Sequence, residues 1–218
     1  PYADRPAVFG RTLCVYDNAG ESFQPGADQP DNPVTQHLAK SSCLMFVFDP
    51  TQEPVFRTTL QGSEREWQVE GGVTSRQDVL LAEVARRVRA HRGLATGVKH
   101  DRPLVVLVSK FDAWRRLLGI RELPDPWARH PTRGFSVFQT DMVHQLSAAI
   151  RRLLWQLAPS IVSTAETFVD PARITYIPAS ATGSPPERRP EGGLGHRAES
   201  IKPIWAEVPM LYLLSQYG

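Results

Sequence analysis

Residues 104–112 read Leu104-Val105-Val106-Leu107-Val108-Ser109-Lys110-Phe111-Asp112. The apolar run is the length of a strand, is rich in β-branched side chains and has no polar face. A strand of that kind is covered on both sides, as in a parallel sheet flanked by helices. Cys43-Leu44-Met45-Phe46-Val47-Phe48 repeats the continuous pattern, and Thr12-Leu13-Cys14-Val15-Tyr16 and Arg173-Ile174-Thr175-Tyr176-Ile177 are further short apolar runs. All are expected to be core strands.

The segments between the runs carry helical period. Ser75-Arg76-Gln77-Asp78 reads as a capping box, followed by Leu80, Val84 and Val88 on one stripe, with Gly93 as the stop. Arg86 to Arg92 reads as a solvated face of that helix. A second long helix is expected over Gln139 to Leu157, with Ser160 to Phe168 continuing after the break at Pro159. Pro33 to Lys40 and Pro203 to Tyr217 read as shorter helices. Strands alternating with helices predict an α/β fold, a mostly parallel sheet flanked by helices in three layers. Three stretches interrupt the alternation, near 50–74, 119–134 and 184–197, and are expected to be surface insertions of a single domain rather than linkers.

Composition narrows the functional classes. The chain has 218 residues, 41% of them hydrophobic, and its 25 basic and 23 acidic residues leave a formal charge of +2. That is ample for a core and gives no field for nucleic acid. No apolar run approaches the roughly 20 residues that cross a bilayer, and Pro1 to Pro6 do not read as a signal peptide, so a cytoplasmic location without membrane insertion is expected. Cys14 and Cys43 sit inside apolar runs and read as small buried hydrophobes. The six His residues show no metal-ligand spacing.

In a parallel α/β sheet, ligands collect at the carboxyl ends of the strands. Here those ends read Asp17-Asn18-Ala19-Gly20-Glu21, Ser109-Lys110-Phe111-Asp112 and Ser180-Ala181-Thr182-Gly183. A carboxylate at Asp17 can hold Mg²⁺ through water, and Gly20 lets a backbone N–H approach a terminal phosphate. Asp112 can accept from the N1–H and N2–H₂ edge of guanine, a donor pair that adenine lacks. The stem of Lys110 can lie along the base plane, and a backbone N–H from Ser180-Ala181 can meet guanine O6. Each tip also has a plain structural reading: a polar turn at 17–21, a helix N-cap at Asp112, a Ser/Thr turn at 180–183.

In this order the tips resemble the motifs of the P-loop GTPases of the Ras-like and translation-factor group. Asp17-x-x-Gly20 is similar to DxxG, Ser109-Lys110-Phe111-Asp112 to [NT]KxD and Ser180-Ala181-Thr182 to SAx. The resemblance implies a guanine-nucleotide switch using GTP or GDP and Mg²⁺, with Asp17 near the metal, Gly20 at the γ-phosphate, Ser109, Lys110 and Asp112 at the base, and Ser180 and Ala181 beside them. It also implies a protein partner of unknown kind. Glu21 stands where Ras-like members carry a water-orienting Gln, so hydrolysis is expected to be slow or partner-assisted. Ser109 replaces Asn or Thr. The cradle GxxxxGK[ST] needs a Lys after a Gly, and the lysines here follow Ala39, Val98, Ser109 and Ile201. The expectation is a partial domain, incomplete at its N-terminus, with a gap between residues 12–16 and 43–48 where a strand of the family's sheet would lie. The other reading is a pseudo-GTPase scaffold that binds no nucleotide.

Overall fold

The computed structural model describes residues 13–18, 20–24, 33–60, 76–129, 132, 134–189 and 192–217. Its centre is a parallel sheet of β1 (Leu44–Phe48), β2 (Leu104–Val108) and β5 (Ile174–Pro178), with β2 in the middle. The register pairs Phe46 with Val106 and Val106 with Tyr176. Continuous apolar sequence is explained by cover on both faces: Val106 and Val108 face a core that includes Phe56, Leu81, Trp114 and Phe168, while Val105 and Ile177 face Val143, Trp205 and Tyr212.

The helices are α1 (Pro33–Lys40), α2 (Pro54–Leu60), α3 (Gln77–Arg92), α4 (Phe111–Trp114), α5 (Thr140–Leu157), α6 (Pro159–Phe168) and α7 (Val208–Tyr217). α3 ends as expected, with Gly93 in the left-handed region at φ 62° donating its N–H to the carbonyls at the helix end. Its start differs from the expected capping box: Arg76 is the N-cap residue, makes no side-chain cap bond, and pairs instead with Asp78. α5 and α6 are separated by Ala158 and Pro159, the ring of Pro159 occupying the first turn of α6, where no N–H is needed. α7 begins at Val208, later than the expected Pro203, with Pro209 in its first turn.

The two edges of the sheet are finished differently. On β5 the outward N–H of Tyr176 donates to Ser147 Oγ of α5 at 2.8 Å. On β1 the residues facing β2 are Leu44 and Phe48, since Leu44 N–H donates to the Pro103 carbonyl and the Phe48 carbonyl accepts from Ser109 N–H. Alternation therefore turns the backbone groups of Met45, Val47 and Asp49 outward. Gln77 takes those of Asp49, its Oε1 accepting from Asp49 N–H at 2.7 Å and its Nε2 donating to the Asp49 carbonyl at 2.8 Å. The Met45 and Val47 side chains are 37% and 58% exposed.

Several expectations are corrected here. Residues 13–16 are not a core strand: Leu13, Val15 and Tyr16 are exposed, and no strand among the described residues pairs with the outer edge of β1. The segment runs beside β1, and cavities of about 470 and 360 Å³ are lined by both. Apolar composition alone does not make a strand without a neighbour to satisfy its backbone. Cys14 is consequently exposed, not buried. Within the expected insertion 50–74, Pro50–Gln52 forms a 3₁₀ turn and Pro54–Leu60 a helix that buries Phe56 and Leu60; residues 61–75 lie outside the described residues. The other two insertions are antiparallel hairpins, β3 (Trp127–Arg129) with β4 (Ser136–Phe138) and β6 (Glu187–Arg188) with β7 (Leu194–Gly195).

His100 sits at the far end of the sheet, buried and stacked on Phe168 at 5.2 Å, with no hydrogen-bond partner at either ring nitrogen. Burial, then the Arg92 charge, holds it below the usual imidazole range; Asp101, 3.7 Å away, opposes this and Arg102 adds to it. The unfolded chain therefore takes up the proton more readily, and stability is expected to fall as pH drops below about 6.5. Replacing His100 with Phe should flatten that part of a pH series of urea midpoints.

Candidate functional site

The parallel sheet brings the polar ends of β1, β2 and β5 to one side of the molecule. β2 ends at Ser109, whose N–H and Oγ both reach the Phe48 carbonyl, at 2.9 and 3.1 Å. Next comes Lys110, in the left-handed region at φ 52°, a conformation that a non-glycine residue adopts at some cost. The turn it makes points Phe111 N–H at the Ala179 carbonyl, 3.1 Å away, while Ala179 N–H donates to the Val108 carbonyl at 3.0 Å. The expected tip 109–112 is thus bonded through Phe111 to Ala179, the residue immediately before the expected tip 180–183.

Two anchors hold the first tip. Trp114 is fully buried and its Nε1 donates to the Ser109 carbonyl at 2.8 Å. Lys110 Nζ crosses to the end of β1, where it lies 3.2 Å from Asp49 Oδ2 and 3.3 Å from Thr51 Oγ1. The other carboxylate oxygen of Asp49 accepts from Thr51 N–H and Thr51 Oγ at 2.9 and 2.6 Å. Asp112 occupies the first turn of α4, and Lys110, not Asp112, takes the N-cap place. Its Oδ1 is buried with no hydrogen-bond partner. A buried carboxylate oxygen without a donor is costly, so this atom marks a place where an external donor would be welcome.

The second tip is a closed turn. Ser180 exchanges both backbone bonds with Ile204, at 2.9 and 2.8 Å, and its Oγ accepts from Gly183 N–H at 2.8 Å. Gly183 has φ 70°, and a Cβ there would run into the Lys202 carbonyl oxygen, so glycine is required. The Ser180 amide and hydroxyl are therefore both engaged, while Ala181 is exposed.

The third tip stands apart from these two. Asp17 is exposed and lines the cavity beside β1 with Phe46, Val47 and Gln77. It lies at the outer edge of β1, whereas Asp112 follows β2. Gly20 opens a 3₁₀ turn, Gly20–Phe23; the side chain of Glu21 lies outside the described residues. Among the described residues no group of three or more His, Cys, Asp or Glu side chains is arranged to hold a metal ion.

Arg87 is another residue that the sequence reading placed wrongly. Rather than lying on a solvated face, its side chain is 0% exposed. Nε donates to Glu83 at 2.7 Å, Nη1 to the Ser22 carbonyl at 2.6 Å and Nη2 to the Gln24 carbonyl at 3.4 Å, and the guanidinium lies over the Phe23 ring. The turn after Gly20 is thereby fastened to α3. Nothing in a run of arginines distinguishes the inward one, because the loop that buries it comes from far upstream. Asp49, Thr51 and Gln77 were also missed, although Asp49 follows an apolar run in the same way as the other tips.

Among the described residues no helix is long and apolar enough to cross a membrane. Compared with known protein families, with curated proteins and with solved structures, the chain matches none.

Proposed function

We propose that the tips 109–112 and 180–183 bind the base of a guanine nucleotide, in a domain that serves as a nucleotide-dependent switch. The observation that carries this reading is the buried, unpartnered Oδ1 of Asp112 beside the bond from Phe111 to Ala179. In it, Asp112 accepts from guanine N1–H and N2–H₂, Lys110 lays its methylene stem along the base, Ala181 N–H donates to O6, and Ser109 and Ser180 hold the turns. In the same reading Asp17 would hold Mg²⁺, Gly20 would admit the γ-phosphate of GTP, and Glu21 would bear on hydrolysis, all in a tip that stands apart from the base site. Affinity for the whole nucleotide is weak, because no GxxxxGK[ST] supplies phosphate contacts. That same absence favours a second reading, a pseudo-GTPase scaffold for a protein partner.

Charge-assisted hydrogen bonds contribute roughly 1.5–3 kcal/mol each, so exchanging the carboxylate for an amide should change base preference at least about tenfold. Wild-type protein is expected to bind guanosine over xanthosine and adenosine in an NMR titration, and Asp112→Asn to prefer xanthosine. Equal binding of guanosine and adenosine, or an unaltered preference in the variant, overturns base reading. No binding of any nucleoside leaves the scaffold.

A further inference from the structure

We infer that Asp49 is a positioning residue for the proposed base site: it holds the Lys110 ammonium at the end of β1, so that the stem of Lys110, and not its charge, is presented to the ligand. The inference rests on the guanine reading above. Three observations support it. Lys110 is held in a left-handed backbone conformation, which sends its side chain sideways from β2 toward β1. Its Nζ is met there by Asp49 Oδ2 and Thr51 Oγ1, at 3.2 and 3.3 Å. Asp49 itself is fixed on every side: Thr51 donates twice to Oδ1, and Gln77 takes both backbone groups.

The arrangement has a consequence for ligand class. A lysine ammonium already neutralised by a carboxylate is a poor anchor for phosphate, whereas its four-carbon stem remains a flat apolar surface for a ring. The Asp49–Lys110 pair is partly exposed, with side chains 24% and 37% accessible, so its contribution is modest and lies in orientation more than in attraction. Guanosine and its diphosphate should therefore bind this chain with similar affinity.

A double-mutant cycle separates positioning from mere structure. Guanosine affinity is measured by NMR titration for wild type, Asp49→Asn, Lys110→Met and the double variant, with urea midpoints in parallel. Asparagine keeps an oxygen for Thr51 but loses the ammonium. Asp49→Asn is expected to weaken guanosine binding about fivefold, with little change in midpoint, and to have no further effect in the Lys110→Met background. Asp49→Glu, which keeps the charge, should recover part of the loss. An equal loss from Asp49→Asn in both backgrounds, or none in either, overturns the inference while the guanine reading stands. Failure of the wild-type chain to bind guanosine overturns that reading and this inference with it.

Discussion

Trp114→Ala is expected to lower the free energy of unfolding by about 3–5 kcal/mol, the range for removing a large aromatic side chain from a core. The indole is fully buried between layers, edge-on to Phe56 and Phe111 with centroids 6.4 and 4.9 Å away. Pairs of this kind add about 0.5–1.5 kcal/mol beyond the area they bury. Truncation also removes the indole donor to the Ser109 carbonyl. Trp155→Ala is the control. That ring is 40% exposed and meets the Arg151 guanidinium at 6.0 Å, a surface contact worth about 0.5–1 kcal/mol. Urea unfolding followed by circular dichroism distinguishes the two, and equal losses would mean that Trp114 does not anchor the core. Because the Ser109 carbonyl is where the candidate site begins, Trp114→Phe should also weaken guanosine binding more than it lowers stability.

The second large effect is expected at Arg87. Arg87→Met keeps the apolar stem but strands the Ser22 and Gln24 carbonyls, and removing one partner of a buried ion pair costs about 3–5 kcal/mol. Here the loss should fall near the lower end, because Glu83 keeps Arg86 at 2.7 Å. Hydrogen exchange should report faster opening at 22–24, with little change in β2. A global loss without that local signature would show that the arginine merely fills space. The same cluster shapes acid behaviour. Hydrogen bonding to Arg86 and Arg87, against the burial that opposes it, brings the Glu83 carboxyl down to about 2. Its folded value thus lies below its unfolded one, so its contribution is complete above about pH 4.5 and is lost as pH falls toward 2. Glu83→Gln should make the acid limb of the stability curve shallower.

The sheet was legible in the sequence where the apolar runs were long and uninterrupted. Leu44–Phe48, Leu104–Val108 and Ile174–Pro178 are strands because burial on both faces demands continuous apolar residues, and that demand is written locally. The same composition misled at 13–16, where the deciding fact is the lack of a paired neighbour, a property of the whole fold. Helix ends were readable at Gly93, where a left-handed residue is needed, but not at Arg76, whose side chain pairs with Asp78 instead of capping. At the candidate site, tips 109–112 and 180–183 could be named because they follow strands that share direction and edge. Lys110 and Thr51 lie 59 positions apart and Arg87 and Ser22 lie 65 apart, and no periodicity records such pairings.

The most direct test of a base-reading site at the ends of β2 and β5 is a ¹H–¹⁵N NMR titration of this chain with guanosine, set against adenosine. The account predicts saturable shifts centred on the amides of Ser109–Ala113 and Ala179–Gly183 with guanosine and much smaller ones with adenosine. Shifts of equal size with both nucleosides, or shifts centred elsewhere on the molecule, would contradict it.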